Sequence, residues 1–462
     1  MSDYEVDVDT LIGDAIEQDT QAAFHYATQR GSRGEAADKE ELTFYEFVDV
    51  PAARKILHNW NQLWADGKLG IGVWKFGHDA LPDELDETDA ARDAARETFA
   101  QWLAGVETET RKHKGVTIRA GTRKVTYTQT KRSHRYGRYY SVKSMGMSAF
   151  ARAIRHTVAD KYYIDIDIRN CHPTIMLWLA DQHGLTTQGP LRDYTISKEN
   201  REAMLERIRG LLGSCRRATG DPDATRDDAK QHTLSWAYGR NLQDWLDGSN
   251  KKKRAEAKAL LADPVVRALY DSMRNTNAAI AELYPEKVDL VKESNRSKGN
   301  AEDQNLACKV ASRVVLDVEN DVLFYLVDFL SIKKESKLKA EDRVPGNEVL
   351  MFDGFQVPRE RVDLWESKGH SVEAALAAAE RFVAKKIPGL AINLEVKPMD
   401  CVIDLSAYPD PHALEDVAAD VKRQRQEAAE GRVHTVGPIQ YVDVDGLWFT
   451  RLLQLLVDTP FK

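Results

Sequence analysis

The segment Tyr163–Ile168 reads Y-I-D-I-D-I, an alternation of apolar and acidic residues that predicts a β-strand with Asp165 and Asp167 on one face. A charge within an apolar strand is costly to bury unless a cation or hydrogen bonds compensate it. A second strand-like run, Glu348 to Val357, contains V-L-M-F-D-G-F-Q-V and brings Asp353. Taken singly, each aspartate is best explained as the cap of a strand or helix. Two carboxylates delivered from separate strands to one point make a site for hard cations such as Mg²⁺, which take oxygen ligands and keep phosphates in their remaining positions. Such a pair suits two-metal phosphoryl transfer.

The surrounding pattern is α+β. Helical spacing occupies Pro51 to Trp64 and Glu87 to Glu107, and returns in Cys171 to His183, 198–215, 224–247, 251–283, about 300–332 and 371–385. A strand is expected at Ile392 to Lys397, a charged helix or linker at 410–431, and an apolar helix at the end. That abrupt end raises the expectation of a longer replication protein, with a helicase or primase as fused domain or partner. Four scattered cysteines, with no C-x-x-C pair, point to a reducing compartment. The acidic start, MSDYEVDVDT, and the lack of an 18-residue apolar run predict a cytoplasmic protein without a membrane partner.

Net charge is −8 over 462 residues, which on average disfavours a nucleic-acid partner. The average conceals a division. Arg111 to Lys143 holds 11 Lys or Arg and no acid, and the remainder stands at −19. The block interleaves basic residues with Val116-Thr117-Ile118 and Val125-Thr126-Tyr127-Thr128 around Gly115, Gly121 and Gly137, as short antiparallel strands would. A basic, aromatic-interleaved ribbon fits a phosphate backbone, and a solvated basic face fits the charge alone equally well.

Arg226, Lys230, Leu234 and Tyr238 recur every four residues and so share one helix face. Two cations one turn apart repel by a few tenths of a kcal/mol, about the size of a single helical charge pair, and an anion between them reverses the sign. A triphosphate along this face would be neutralised by Arg226 and Lys230, with Tyr238 beneath the base. An isolated R-x-x-x-K is more simply a solvated face.

Together these residues resemble family A DNA polymerases, the bacterial polymerase I type. The run R226-x-x-x-K230-x-x-x-L234-S-x-x-Y238-G239 is similar to that family's fingers helix. Upstream, G137-R138-Y-Y-S and A153-I154-R155 resemble its T-G-R-L-S and I-R. Asp167 stands for its first catalytic aspartate, N300-A-E-D-Q304 for the N-x-x-x-Q that begins its long palm helix, and F352-D353-G354 for its H-D-E. These five motifs keep the family's order over roughly residues 135–405.

The departures indicate a distant, viral or mobile-element branch. The segment D-x-x-N-C-H-P-T-I has the D-x-x-S-L-Y-P-S-I rhythm of family B as much as the family A pattern. Both rhythms favour Asp167 over Asp165, since a bulky residue follows five positions later, here His172. Leu234 replaces the fingers aromatic and Ser235 its Gly, while Phe352 and Gly354 replace the His and Glu of H-D-E.

The resemblance implies a right-hand polymerase fold with an antiparallel palm sheet, helical fingers and no proofreading domain. Its expected divisions are a helical, acidic, thumb-like or accessory region at 1–110; a basic ribbon leading into the palm at 111–160; palm at 161–200 and 300–405; fingers at 201–299; and an extension at 406–462. It implies template-directed addition of dNTPs to a primer on DNA, with two Mg²⁺ ions, replaceable by Mn²⁺, held by Asp167, Asp353 and the backbone carbonyl of Ile168. Lys230 would assist catalysis. Arg226, Lys230, His172, Leu234 and Tyr238 would bind the nucleotide. Arg138, Arg152, Arg155, Gly239, Asn300 and Gln304 would line the primer-template. An RNA polymerase, primase or reverse transcriptase on the same palm, or a non-catalytic nucleic-acid-binding module, are the alternatives. A bulky His172 argues against the first two and the absence of Y/F-x-D-D against the third.

Overall fold

A computed structural model describes residues 42–69, 89–113, 116–129, 138–185, 189–219, 222–297, 299–303, 305–330, 346–351, 353–411, 433–436 and 439–442. Strand β1 (Leu42–Phe47) leads to helices α1 (Val50–His58), α2 (Trp60–Ala65) and α3 (Asp89–Ala104). Strands β2 (Arg111–His113), β3 (Val116–Ile118), β4 (Thr122–Gln129) and β5 (Tyr139–Ser141) precede α4 (Arg152–Ala159) and β6 (Tyr163–Ile168). A helical stretch follows: α5 (Cys171–Gln182), α6 (Gly189–Ile196), α7 (Lys198–Thr219), α8 (Arg226–Ala237), α9 (Leu242–Asp247), α10 (Lys251–Ala262), α11 (Pro264–Leu283), α12 (Glu286–Ser297) and α13 (Leu306–Leu330). The chain then forms β7 (Val349–Leu350), β8 (Gly354–Pro358), α14 (Arg359–Ser367), α15 (Val372–Lys386) and β9 (Leu394–Lys397), with a separate pair, β10 (Val433–Val436) and β11 (Ile439–Val442). The fold is mixed α+β, and every strand pairing between these elements is antiparallel.

Local chemistry accounts for the helix starts. Asp49 accepts from the Ala52 N–H ahead of α1, and Pro51 supplies a preset φ in its first turn. Thr225 and Asp228 form a reciprocal capping box on α8. Asp263 caps two N–H groups of α11, which opens on Pro264. Helix α13 begins at Leu306 rather than near 300, and the polar helix α12 before it was not expected.

Among the described residues most of the buried apolar surface collects in two cores. One gathers Trp60, Phe99, Trp102 and Phe150, with ring centroids 4.9–5.5 Å apart, and continues into Ile154, Val158 and Tyr163. Because β1 pairs with β4, residues on both sides of the expected division at 110 share one sheet. The other core joins α5 through α11, α13 and α15 to Ile166, Ile168, Phe355 and Val357, and α12 is seated by a small third cluster of Ala281, Val291 and Val310. Within the first core the Tyr163 hydroxyl accepts from the Phe47 N–H and donates to the Asn347 carbonyl, both at 2.7 Å. Among the described residues no helix is long and apolar enough to cross a membrane.

The sheet that positions the candidate site has the order β7-β8-β6-β9. Residues 348–357, read from sequence as one strand, are a hairpin: the Met351 N–H donates to the Gly354 carbonyl at 3.0 Å, and Asp353 sits in the turn. Asp167 is directly opposite Gly354 on one side and Glu395 on the other. A methyl group on Gly354 would lie 2.3 Å from the Ile166 carbonyl oxygen, a backbone atom that cannot turn aside. Gly354→Ala is therefore expected to destabilise the fold by about 2–4 kcal/mol, the range of severe overpacking, with β8 pushed away from β6. A chemical-denaturation midpoint equal to wild type would contradict this close approach.

Candidate active site

Ile164, Ile166 and Ile168 of β6 face the helical core, so the alternation turns Asp165 and Asp167 to the other face of the sheet. The Ile168 N–H donates to the Asp353 carbonyl at 2.9 Å, fixing the peptide between the two candidate metal aspartates. Burial pushes Asp167 up to about 7, helped by the negative charge of Asp353 and opposed by Lys397. Lys397 Nζ lies 2.5 Å from Asp167 Oδ2. Asp165 is also raised, by burial, but there Arg155 is the largest neighbouring charge and Asp353 the weakest of those acting on it. Asp353 thus acts on both aspartates, as the largest neighbouring charge at Asp167 and behind Arg155, Lys397 and Arg152 at Asp165.

A second wall stands beside this pair. Arg138 Nε donates to Glu319 Oε1 at 2.6 Å, and its Nη2 donates to Glu319 Oε2 at 3.0 Å and to the Tyr238 hydroxyl at 2.9 Å. The Glu319 side chain is 0% exposed. Burial raises it to about 7, against the pull of Arg138, and the charge of Asp353 reaches it as well. Tyr238, also raised by burial, packs against His172 with the ring planes tilted by 45° and the centroids 4.1 Å apart. Burial and the nearby Arg138 lower His172 to about 3, so its imidazole is neutral. The structure therefore brings Asp167, Asp353, Arg138, Tyr238 and His172 into one neighbourhood.

The other expected residues are placed differently. Arg226 grips Glu202 of α7 with both arms of its guanidinium, at 2.5 and 2.6 Å, and pulls that carboxyl down to about 2. In the row Arg226, Lys230, Leu234 and Tyr238, Arg226 is exposed and the other three are half-buried. Arg152 pairs with Asp400 at 3.0 Å. Arg155 donates to the Phe150 carbonyl at 3.2 Å and compensates Asp165 from α4. Gly239 has φ +90°, and a Cβ there would lie 1.9 Å from Cys308 Cβ, so the close approach of the turn after α8 to α13 explains this glycine. Asn300 is exposed in the turn after α12, and Gln304 lies outside the described residues. The long helix instead reaches Arg138 through Glu319, which the sequence reading missed.

The basic ribbon is less available than its composition implies. Arg111 pairs with Glu107 at 2.6 Å, Arg119 with Glu360 at 2.7 Å and Arg138 with Glu319. Arg123 donates to the Met145 carbonyl at 3.3 Å and neighbours the buried Glu46. Lys112, Lys124 and Lys143 are exposed, and residues 130–137 lie outside the described set.

Two oxygen donors whose mutual repulsion raises one of them form a donor set suited to a hard divalent cation. Among the described residues one group of three such donors clusters, His156, Asp400 and Cys401. Arg152 already pairs with that Asp400, and burial with the Arg155 and Arg152 charges lowers His156 to about 4, so the local field opposes a cation there. At the aspartate pair a divalent cation and a proton would compete for Asp167. Because its folded value stands near 7, above the ordinary carboxylate range, the ionised form that binds metal is depleted below that pH. The rise in Tm caused by Mg²⁺ should accordingly be larger at pH 8 than at pH 6. Equal shifts at both values would remove Asp167 from the metal set.

No family model matches the sequence, and no curated protein matches it. Among solved structures the chain is similar to the "POL domain of Pol1 from M. smegmatis complex with DNA primer-template and dNTP", at a TM-score of 0.43 and 11% identity, covering 78% of this chain and 68% of that one.

Proposed function

We propose that the chain is a template-directed DNA polymerase that adds dNTPs to a primer 3′-hydroxyl in DNA replication. The observation that carries this reading is the meeting of Asp167 and Asp353, from the centre of one strand and the turn of its neighbouring hairpin. In this reading the sheet and α13 form the palm, residues 201–299 the fingers, and residues 1–110 a thumb-like or accessory region. Asp167, Asp353 and the Ile168 carbonyl would hold two Mg²⁺ ions. When bound, they supply activation of the 3′-hydroxyl and charge neutralisation of the departing pyrophosphate.

The chain's own side chains do the rest. Arg226 would exchange Glu202 for the triphosphate, which its 45% exposure permits. Lys230, one turn further, would lie beside the pyrophosphate and hold a proton for it. Tyr238 would support the nascent base pair, and His172 beneath it would crowd a 2′-hydroxyl. Arg138, Arg152 and Arg155 would meet the duplex backbone together with the exposed ribbon lysines, giving contacts independent of sequence.

Primer extension on DNA and RNA templates, with dNTPs or rNTPs and with or without Mg²⁺, tests this. Mg²⁺-dependent extension with dNTPs on a DNA template is expected. Extension with rNTPs alone would convert the reading to an RNA polymerase or primase. Salt-sensitive DNA binding with no extension would leave a binding module.

A further inference from the structure

Lys397 belongs to no motif of the aspartate site, yet its ammonium is the cation seated there. Strand β9 pairs with β6 so that Lys397 is directly opposite Asp165, and Glu395 opposite Asp167. Cross-strand partners in an antiparallel pair point to the same face, and a diagonal neighbour two residues on lies within reach of a long side chain. Lys397 uses that diagonal, bypassing its opposite residue to contact Asp167 Oδ2 at 2.5 Å. Its side chain is 31% exposed and that of Asp167 only 14%, so the ammonium is the more solvent-accessible partner of the pair. The Lys397 charge acts on Asp165 as well, so both carboxylates are within its range.

We infer that Lys397 is a built-in stand-in for the metal: it holds Asp167 while no ion is bound and moves to Asp165 when a divalent cation takes its place. This rests on reading Asp167 and Asp353 as the metal pair. A single positive charge beside two crowded carboxylates limits their repulsion, and a doubly charged ion with several oxygen ligands outcompetes it once its concentration suffices. Asp165 gives the displaced ammonium a second anionic partner one step along the same face, so displacement does not strand a charge. Lys397 is a positioning residue that sets the metal concentration at which the site fills, and Asp165 is the other end of its travel.

Mn²⁺ titration of the full chain by calorimetry, without nucleotide or DNA, tests the exchange. Lys397→Met keeps the stem and removes the charge, and should bind Mn²⁺ about tenfold more tightly than wild type. Asp165→Asn should weaken Mn²⁺ binding about threefold in the wild-type background and have no effect in Lys397→Met. Lys397→Gln serves as a second neutral variant should Lys397→Met not fold, with the same expected tightening. Binding that is unchanged or weaker in the neutral Lys397 variants would overturn the stand-in role alone. Equal Mn²⁺ binding by wild type and Asp353→Asn, or no binding by any variant, would remove the metal pair itself and the stand-in role with it.

Discussion

Asp167→Asn is expected to reduce Mg²⁺-dependent primer extension on the order of 10³-fold or more, the scale on which loss of a group acting on the reacting atoms is felt, while the protein melts close to wild type. The substitution keeps the size of the side chain and removes the charge that crowds Asp353, so relief of repulsion offsets loss of the Lys397 contact. Asp165→Asn provides the contrast. Its principal charged neighbour is Arg155 on α4, and its effect on extension should be far smaller. Extension by Asp167→Asn within tenfold of wild type would end the assignment of Asp167 to the metal, and a large loss only in Asp165→Asn would transfer it two residues along the strand. The same carboxyl gives the assay a pH signature. With Asp167 near 7, wild-type extension at limiting Mg²⁺ should rise with pH through that value, and higher Mg²⁺ should move the rise to lower pH.

The alternation of Y-I-D-I-D-I was legible because strand geometry leaves a two-residue period no other choice once Ile166 and Ile168 are buried. The Asp353 hairpin was half legible. Its apolar run reads as one strand, yet D-G is a turn signal, and the register opposite Asp167 allows no side chain at Gly354. The basic ribbon was legible as composition and misleading as chemistry. Arg119 meets an acid 241 positions away and Arg138 one 181 away, which no local pattern reveals. Glu319 was hidden for the same reason, although it left a trace. Val315, Glu319, Val322 and Leu326 fall on one helical stripe, all buried, and a lone acid on such a stripe calls for a cation from elsewhere in the chain.

That demand makes Glu319 the most consequential residue for stability near the site. Glu319→Ala should destabilise the protein by about 3–5 kcal/mol at pH 8, since deleting one member of a buried ion pair strands the other. Arg138 would lose both of its bonds to Glu319 and keep the one to the Tyr238 hydroxyl. Glu319→Gln retains hydrogen-bonding capacity and should lose only about 1–2 kcal/mol. The decisive comparison is the double variant Arg138→Met with Glu319→Leu, which removes both charges and fills the space. It should recover most of the lost stability, because an apolar pair of similar volume is often no worse than a buried salt bridge. It should not recover extension. Arg138 holds Tyr238, and Tyr238 packs on His172, so loss of the guanidinium loosens the wall on which the nucleotide would rest and should raise KM for dNTP more than it lowers kcat. Because burial holds Glu319 near 7 in the folded protein, above its unfolded value, the folded state takes up a proton that the unfolded chain does not, so the gap between wild type and Glu319→Ala should widen from pH 8 to pH 6. If the double variant regained stability and full extension together, the Arg138–Glu319 pair would be structural only. If Glu319→Ala melted like wild type, Arg138 would not need this carboxylate at all.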